Sequence, residues 1–147
     1  MIFLLAFGGC GGDCLDLPET CTPQYEPTFE AVYANTVSGT CQLSGCHGQG
    51  SASGGLAMGS SADEAHAALS AYVDPEEPGC SELLLHLEPE GIGDMPPGDP
   101  LSEEERCAIR QWIAAGAWHF TQKSPSAPSV SRCPFAFIAR NTGSSLA

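Results

Sequence analysis

The chain has 147 residues, 42% hydrophobic and 7% aromatic, with 17 glycines, 12 prolines and eight cysteines. That is room for one domain with tails, built from short elements and long turns, and the cysteines point to an oxidising compartment where covalent staples supplement a modest core. The net charge of −13 is segregated: every Asp and Glu lies between Asp13 and Glu105, and every Lys and Arg from Arg106 onward. This balance excludes nucleic acid as a partner, because an acidic surface repels phosphate, and favours simple solubility or a partner with a basic docking face.

In chain order, residues 1–10 are apolar and close with Gly8-Gly9-Cys10, which resembles the end of a bacterial lipoprotein signal; Phe7 and the lack of a leading Lys or Arg depart from that pattern. The run is too short to span a bilayer, which needs about 20 residues. The expectation is a lipid anchor on Cys10, with membrane contact through that anchor alone and a place in the bacterial cell envelope, periplasmic or outer-surface. Residues 11–26 are acidic, carry two prolines and read as a linker, with Cys14 and Cys21 as a local pair. Phe29, Val32, Tyr33 and Thr36/Val37 then recur at helical spacing behind the capping residue Thr28, which predicts a helix running into Cys41.

The next stretch is Cys41-Gln-Leu-Ser-Gly-Cys46-His47-Gly48, two thiols and an imidazole within seven residues, followed by a glycine-rich loop to Gly55. Ser61 with Glu64 forms a capping box for a second helix whose Ala65, Ala68, Leu69 and Tyr72 share a face. A short leucine-rich helix from about Glu82 to Leu87 stops at Pro89 and Gly91. Met95-Pro96-Pro97 then fixes a loop that can be neither helix nor central strand. Ser102 with Glu105 caps a last helix, with Ile109, Trp112, Ile113 and Gly116 on one face. Residues 121–147 are rich in Ser and Pro, contain Cys133, and read as a disordered tail. No repeat and no strand-like alternation is visible, so the fold class is all-α: a small bundle of about four short helices with long Gly/Pro-rich loops over residues 27–120.

The chemistry lies in the widened cysteine pair. Two cysteines before a histidine look like an attachment site for covalent haem, which usually has a two-residue spacer; here the spacer has four. Cys41 and Cys46 are the thioether candidates and His47 the proximal iron ligand. Met95 is the distal ligand candidate, with His86 as its alternative. His66 and His119 read as surface or interface groups and Met58 as core filler. Cys80 and Cys107 are read as a disulfide that would close the loop holding Met95. Zinc at Cys41, Cys46 and His47 lacks a fourth partner and a second short ligand pair. No nucleophile motif is seen, so an enzyme is not expected.

Residues 27–119 resemble a class I mono-haem c-type cytochrome domain of the bacterial envelope kind. The resemblance is carried by the helix before the attachment site, Cys46-His47-Gly48, Gly54-Gly55-Leu56, Met95-Pro96-Pro97-Gly98, Leu101-Ser102, Glu105 and Trp112-Ile113-Ala-Ala-Gly116-Ala117. It implies one covalently attached haem c, distal ligation by Met95, a last helix packed across the first, and one-electron transfer between redox protein partners. The competing expectation is a haem-free lipoprotein with a Cys41–Cys46 disulfide, a cytochrome-like scaffold serving as a disulfide-stapled protein-binding module.

Overall fold

The computed structural model describes residues 14–119. Four short helices form its frame: α1 (Phe29–Val32), α2 (Ala62–Leu69), α3 (Glu82–Leu87) and α4 (Glu103–Ala114). There is no strand among the described residues, and short 3-10 turns at Ser53–Gly55, Ser70–Tyr72 and Pro78–Cys80 punctuate the loops. The all-α expectation is met. Cys10 and Cys133, the proposed anchor residue and the tail thiol, lie outside the described residues. No helix among the described residues is long and apolar enough to cross a membrane.

The caps predicted from sequence are present. Thr28 accepts from the Ala31 amide at the start of α1, and Ser61/Glu64 and Ser102/Glu105 form reciprocal capping boxes on α2 and α4. In a capping box two otherwise orphaned amides at each helix start find acceptors. The first helix departs from expectation after one turn, because Tyr33–Cys41 continue as a wider π-helical segment. Asn35 and Ser38 donate their side chains back to the carbonyls of Ala31 and Ala34, acceptors that an α-helical amide would use. Thr36, Val37, Gly39 and Thr40 add weak helix propensity, so the ladder loosens without breaking. Thr36 and Val37 still face the core.

Packing centres on α4. Trp112 is 1% exposed and lies against Phe29 of α1, with ring centroids 5.3 Å apart, so the last helix crosses the first. His66 and His119 complete this cluster: the His66 ring is 4.7 Å from both Phe29 and His119, and it bonds the Ala117 carbonyl at 2.9 Å. Both histidines are half-buried in this cluster rather than free at the surface. An imidazole has an apolar body that packs and polar edges that need partners; the body of His66 packs beside Trp112 and its edge is satisfied by the Ala117 carbonyl, while His119 Nε2 lies 3.0 Å from Asp63 Oδ1.

The largest correction concerns residues 14–26. They are no spacer but a strap laid on the helices, with Leu15, Leu17 and Tyr25 packed against the core and the Tyr25 hydroxyl 2.6 Å from Thr36 Oγ1. The Gln24 amide bonds the Glu104 carbonyl, and Gln111 donates to the Cys21 carbonyl. The disulfides follow: Cys14–Cys80 and Cys21–Cys107, with Cα separations of 4.5 and 5.9 Å. The expected Cys80–Cys107 bridge, and the local Cys14–Cys21 pair, are therefore replaced by two long-range bridges. The reason is spatial: the strap carries one cysteine to the turn before α3 and the other to α4, so Cys80 and Cys107 each meet a strap thiol. Two such disulfides are compatible with an extracytoplasmic protein.

Under the strap lies a paired ionic floor. The Glu88 carboxylate, 3% exposed, accepts from Arg106 Nε at 2.9 Å and Arg110 Nη1 at 2.8 Å, and Glu103 pairs with the outer nitrogens of both arginines. Burial alone pushes the Glu103 carboxyl up, but its hydrogen bond to Arg110 and the charges of Arg110 and Arg106 outweigh that and hold it below its usual value. A lowered folded-state value stabilises above the ordinary carboxylate range and is lost as pH falls through it.

Two measurements test this arrangement. Peptide mapping under non-reducing conditions should recover Cys14 linked to Cys80 and Cys21 linked to Cys107; a Cys80–Cys107 peptide would refute the strap. Replacing Cys21 and Cys107 by serine should lower the urea-unfolding free energy by about 2–5 kcal/mol, the range for removing a bridge from a small domain.

Candidate functional site

One crevice of about 270 Å³ gathers the residues singled out from sequence: Cys41, Cys46 and His47 on one side, and His86, Met95, Pro96 and Pro97 on the other. Leu56, Met58, Tyr72, Leu83 and Leu87 make up half of the remaining lining residues, and the lining is largely apolar. The two sides come from segments about 50 residues apart in sequence. Cys80 and Cys107 do not take part, since both are bridged to the strap.

The near side is built by the end of the π-helical segment. Its last residue is Cys41, and the chain then turns so that the His47 amide donates to the Cys41 carbonyl at 3.2 Å and the Cys46 amide to the Leu43 carbonyl at 3.0 Å. The four-residue spacer is thus a hydrogen-bonded turn. Its first member, Gln42, is pinned on three sides: its amide nitrogen donates to the carbonyls of Met58 and Ser61, and its oxygen accepts from the Tyr33 hydroxyl. Gly48 is buried where a Cβ would collide with the Gln42 carbonyl oxygen, so this turn leaves no room for a side chain after the histidine.

His47 is held in a defined tautomer. Its Nδ1 lies 3.0 Å from the Leu56 carbonyl oxygen, which can only accept, so the proton is on Nδ1 and the Nε2 lone pair is left for another partner. The His47 carbonyl in turn accepts from the Met58 amide at 2.7 Å, tying the imidazole segment to the floor of the crevice. A histidine with one nitrogen donating to a backbone carbonyl and the other uncommitted has the outer-shell arrangement of a metal ligand.

Cys41 and Cys46 are both unpaired, while the other four described cysteines are bridged. Burial pushes the Cys41 thiol up to about 11, with the neighbouring Cys46 and the carboxylate of Glu105 adding to it. It is therefore a neutral thiol throughout the physiological range.

The far side is a loop folded back on α3. The amides of Ile92 and Met95 donate to the carbonyls of Leu85 and His86, which sets Met95 on the crevice wall directly after the helix. His86 also lines the crevice, but its Nδ1 is 2.7 Å from Asp94 Oδ1 at the exposed edge of that loop. The two rival ligands are thus neighbours on one lip. Gln42, the Leu56 carbonyl and Asp94 are supports that residue spacing does not reveal; the run Gly54-Gly55-Leu56 is the one signal that points toward this region.

Two unpaired thiols, an imidazole with Nε2 uncommitted and a thioether on the opposite wall thus share one apolar lining. No protein-family model, curated protein or solved structure matches the chain.

A chemical test of the near side follows from the Cys41 thiol. In the reduced, unmodified protein its thiolate fraction at pH 8 is about a hundredfold below that of a thiol with the ordinary value of 9.0. Alkylation of Cys41 by iodoacetamide, followed by mass spectrometry on the folded protein, should therefore be slow at pH 8 and rise steeply only as pH approaches 11. Rapid labelling at pH 8 that matches the urea-unfolded chain would contradict the burial described.

Proposed function

We propose that this protein is a mono-haem c-type cytochrome that carries one electron at a time in the cell envelope. The observation that carries the reading is the convergence of Cys41, Cys46, His47 and Met95 on one apolar crevice, with the His47 Nδ1 proton committed to the Leu56 carbonyl. Cys41 and Cys46 would hold the porphyrin by thioether bonds, His47 would bind iron through Nε2, and Met95 would bind it from the other wall. Bound there, the haem supplies a one-electron ferric/ferrous couple.

The chain's own contribution is positional and electrostatic. The Leu56 carbonyl fixes the His47 ring and its tautomer. Met95, a soft thioether, favours the ferrous state and raises the potential relative to a second imidazole. Leu56, Met58, Leu83 and Leu87 restrict water around the site, and low local polarity disfavours the more highly charged oxidation state. The acidic surface suits redox partners with a basic docking face, and their association should weaken with salt. An anchor on Cys10 would keep the domain at a membrane surface.

Expression in a bacterial host able to attach haem through a four-residue spacer provides the test. The purified protein should show a Soret band and keep its pigment after denaturing electrophoresis. A colourless, folded protein with Cys41 bridged to Cys46 would instead support the haem-free binding module. In the pigmented protein, Met95→Ala should remove the sulfur-to-iron charge-transfer absorption of the ferric state and lower the reduction potential. Retention of both, with loss on His86→Ala, would transfer the distal role to His86.

A further inference from the structure

We propose that His86 is a reserve distal ligand and Asp94 its positioning residue, so that an imidazole closes the iron site whenever Met95 is off it. The pair would then keep water and small ligands such as carbon monoxide from the distal position. This role rests on haem occupying the crevice, as proposed above.

The histidines divide by what their ring nitrogens do. His66 spends Nε2 on the Ala117 carbonyl, and His119 Nε2 lies beside Asp63. His47 and His86 line the crevice, from opposite sides. Each commits Nδ1, His47 to the Leu56 carbonyl at 3.0 Å and His86 to Asp94 Oδ1 at 2.7 Å, and neither Nε2 has a hydrogen bond among the described residues. A carboxylate accepts and does not donate, so the proton shared by His86 and Asp94 belongs to Nδ1 and the other ring nitrogen is left for another partner. Backbone carbonyls and carboxylates are the two usual outer-shell partners of a metal-binding histidine, and this crevice has one on each wall.

An exposed ion pair of this kind adds little to stability, so a structural role does not account for it. Its placement is what distinguishes it. The Ile92 amide bonds the Leu85 carbonyl at 2.7 Å and the Met95 amide bonds the His86 carbonyl at 3.1 Å, which brings Asp94, between those two residues, back onto α3. His86 itself stands on that helix near the buried Leu84 and Leu87. Met95 and His86 therefore leave neighbouring points of one lip, and one can replace the other by side-chain rotation, with α3 unchanged. The two donors serve different ends. A thioether opposite His47 gives the higher potential suited to electron transfer, whereas an imidazole there gives a lower one and keeps the position filled.

Both the unloaded and the pigmented chain test this. In the unloaded chain, nitrogen NMR of the His86 ring in mildly alkaline solution should show the Nδ1–H form; the Nε2–H form would overturn the proposal. In the pigmented chain, His86→Ala alone should leave the sulfur-to-iron absorption in place. Met95→Ala should stay low-spin, and adding His86→Ala should turn it high-spin, with free imidazole restoring the low-spin spectrum. Carbon monoxide, titrated against the ferrous forms, competes with His86, so its apparent affinity rises as His86 is weakened. Asp94→Ala in the Met95→Ala background should raise that affinity about tenfold, the lower end of what loss of an outer-shell partner costs a metal ligand. His86→Ala in the same background should raise it further. A high-spin Met95→Ala protein, or one whose spectrum and carbon monoxide affinity do not move when His86 or Asp94 is replaced, would overturn the reserve role while leaving the haem reading intact. A folded chain that takes up no haem would overturn both.

Discussion

Burial of Trp112 between α1 and α4 is the contact on which the other features depend. Its indole packs on Phe29 and near the His66 ring, and its Nε1–H reaches the Trp118 carbonyl, so both the apolar and the polar parts of the side chain are satisfied. Truncating a buried side chain of this size costs about 3–5 kcal/mol, against a total stability of about 5–15 kcal/mol for a small domain. With α4 fixed there, Cys107 is presented to the strap, and Arg106 and Arg110 are placed over Glu88.

This frame explains how helices of 4 to 12 residues hold a crevice open. Such helices are marginal alone and depend on tertiary packing. The strap, its disulfides and the ionic floor stiffen the α3–α4 side. The π-helical segment and the pinned Gln42 stiffen the attachment side. Between them the crevice keeps an apolar lining without collapsing, and its two sets of donors stand on separately supported elements.

The same division governs what the sequence disclosed. Caps, helix faces and loop breakers are local, and Thr28, Ser61/Glu64, Ser102/Glu105 and the stripe of Ile109, Trp112 and Ile113 were all readable from spacing. The site was legible as two halves, because Cys41, Cys46 and His47 are close in sequence and Met95 is marked by the prolines after it. Their supports were not legible. Gln42 looks like any polar residue in a spacer, and the acceptor for His47 is a backbone carbonyl, which residue identity does not reveal. Disulfide pairing failed for a related reason: loop length says which bridge would stabilise, whereas pairing depends on which Cα atoms fall within about 4.4–6.8 Å.

What the sequence by itself determined was the helical class, the ends of most helices and the identity of the candidate donors, since these depend on residues a few positions apart. Only the tertiary structure decided that residues 14–26 are a strap, that Cys41 and Cys46 alone among the described cysteines stay unpaired, and that His86 and Met95 share one lip of the crevice. Each of those facts depends on where distant segments come to rest, and that is set by how the Trp112 core packs.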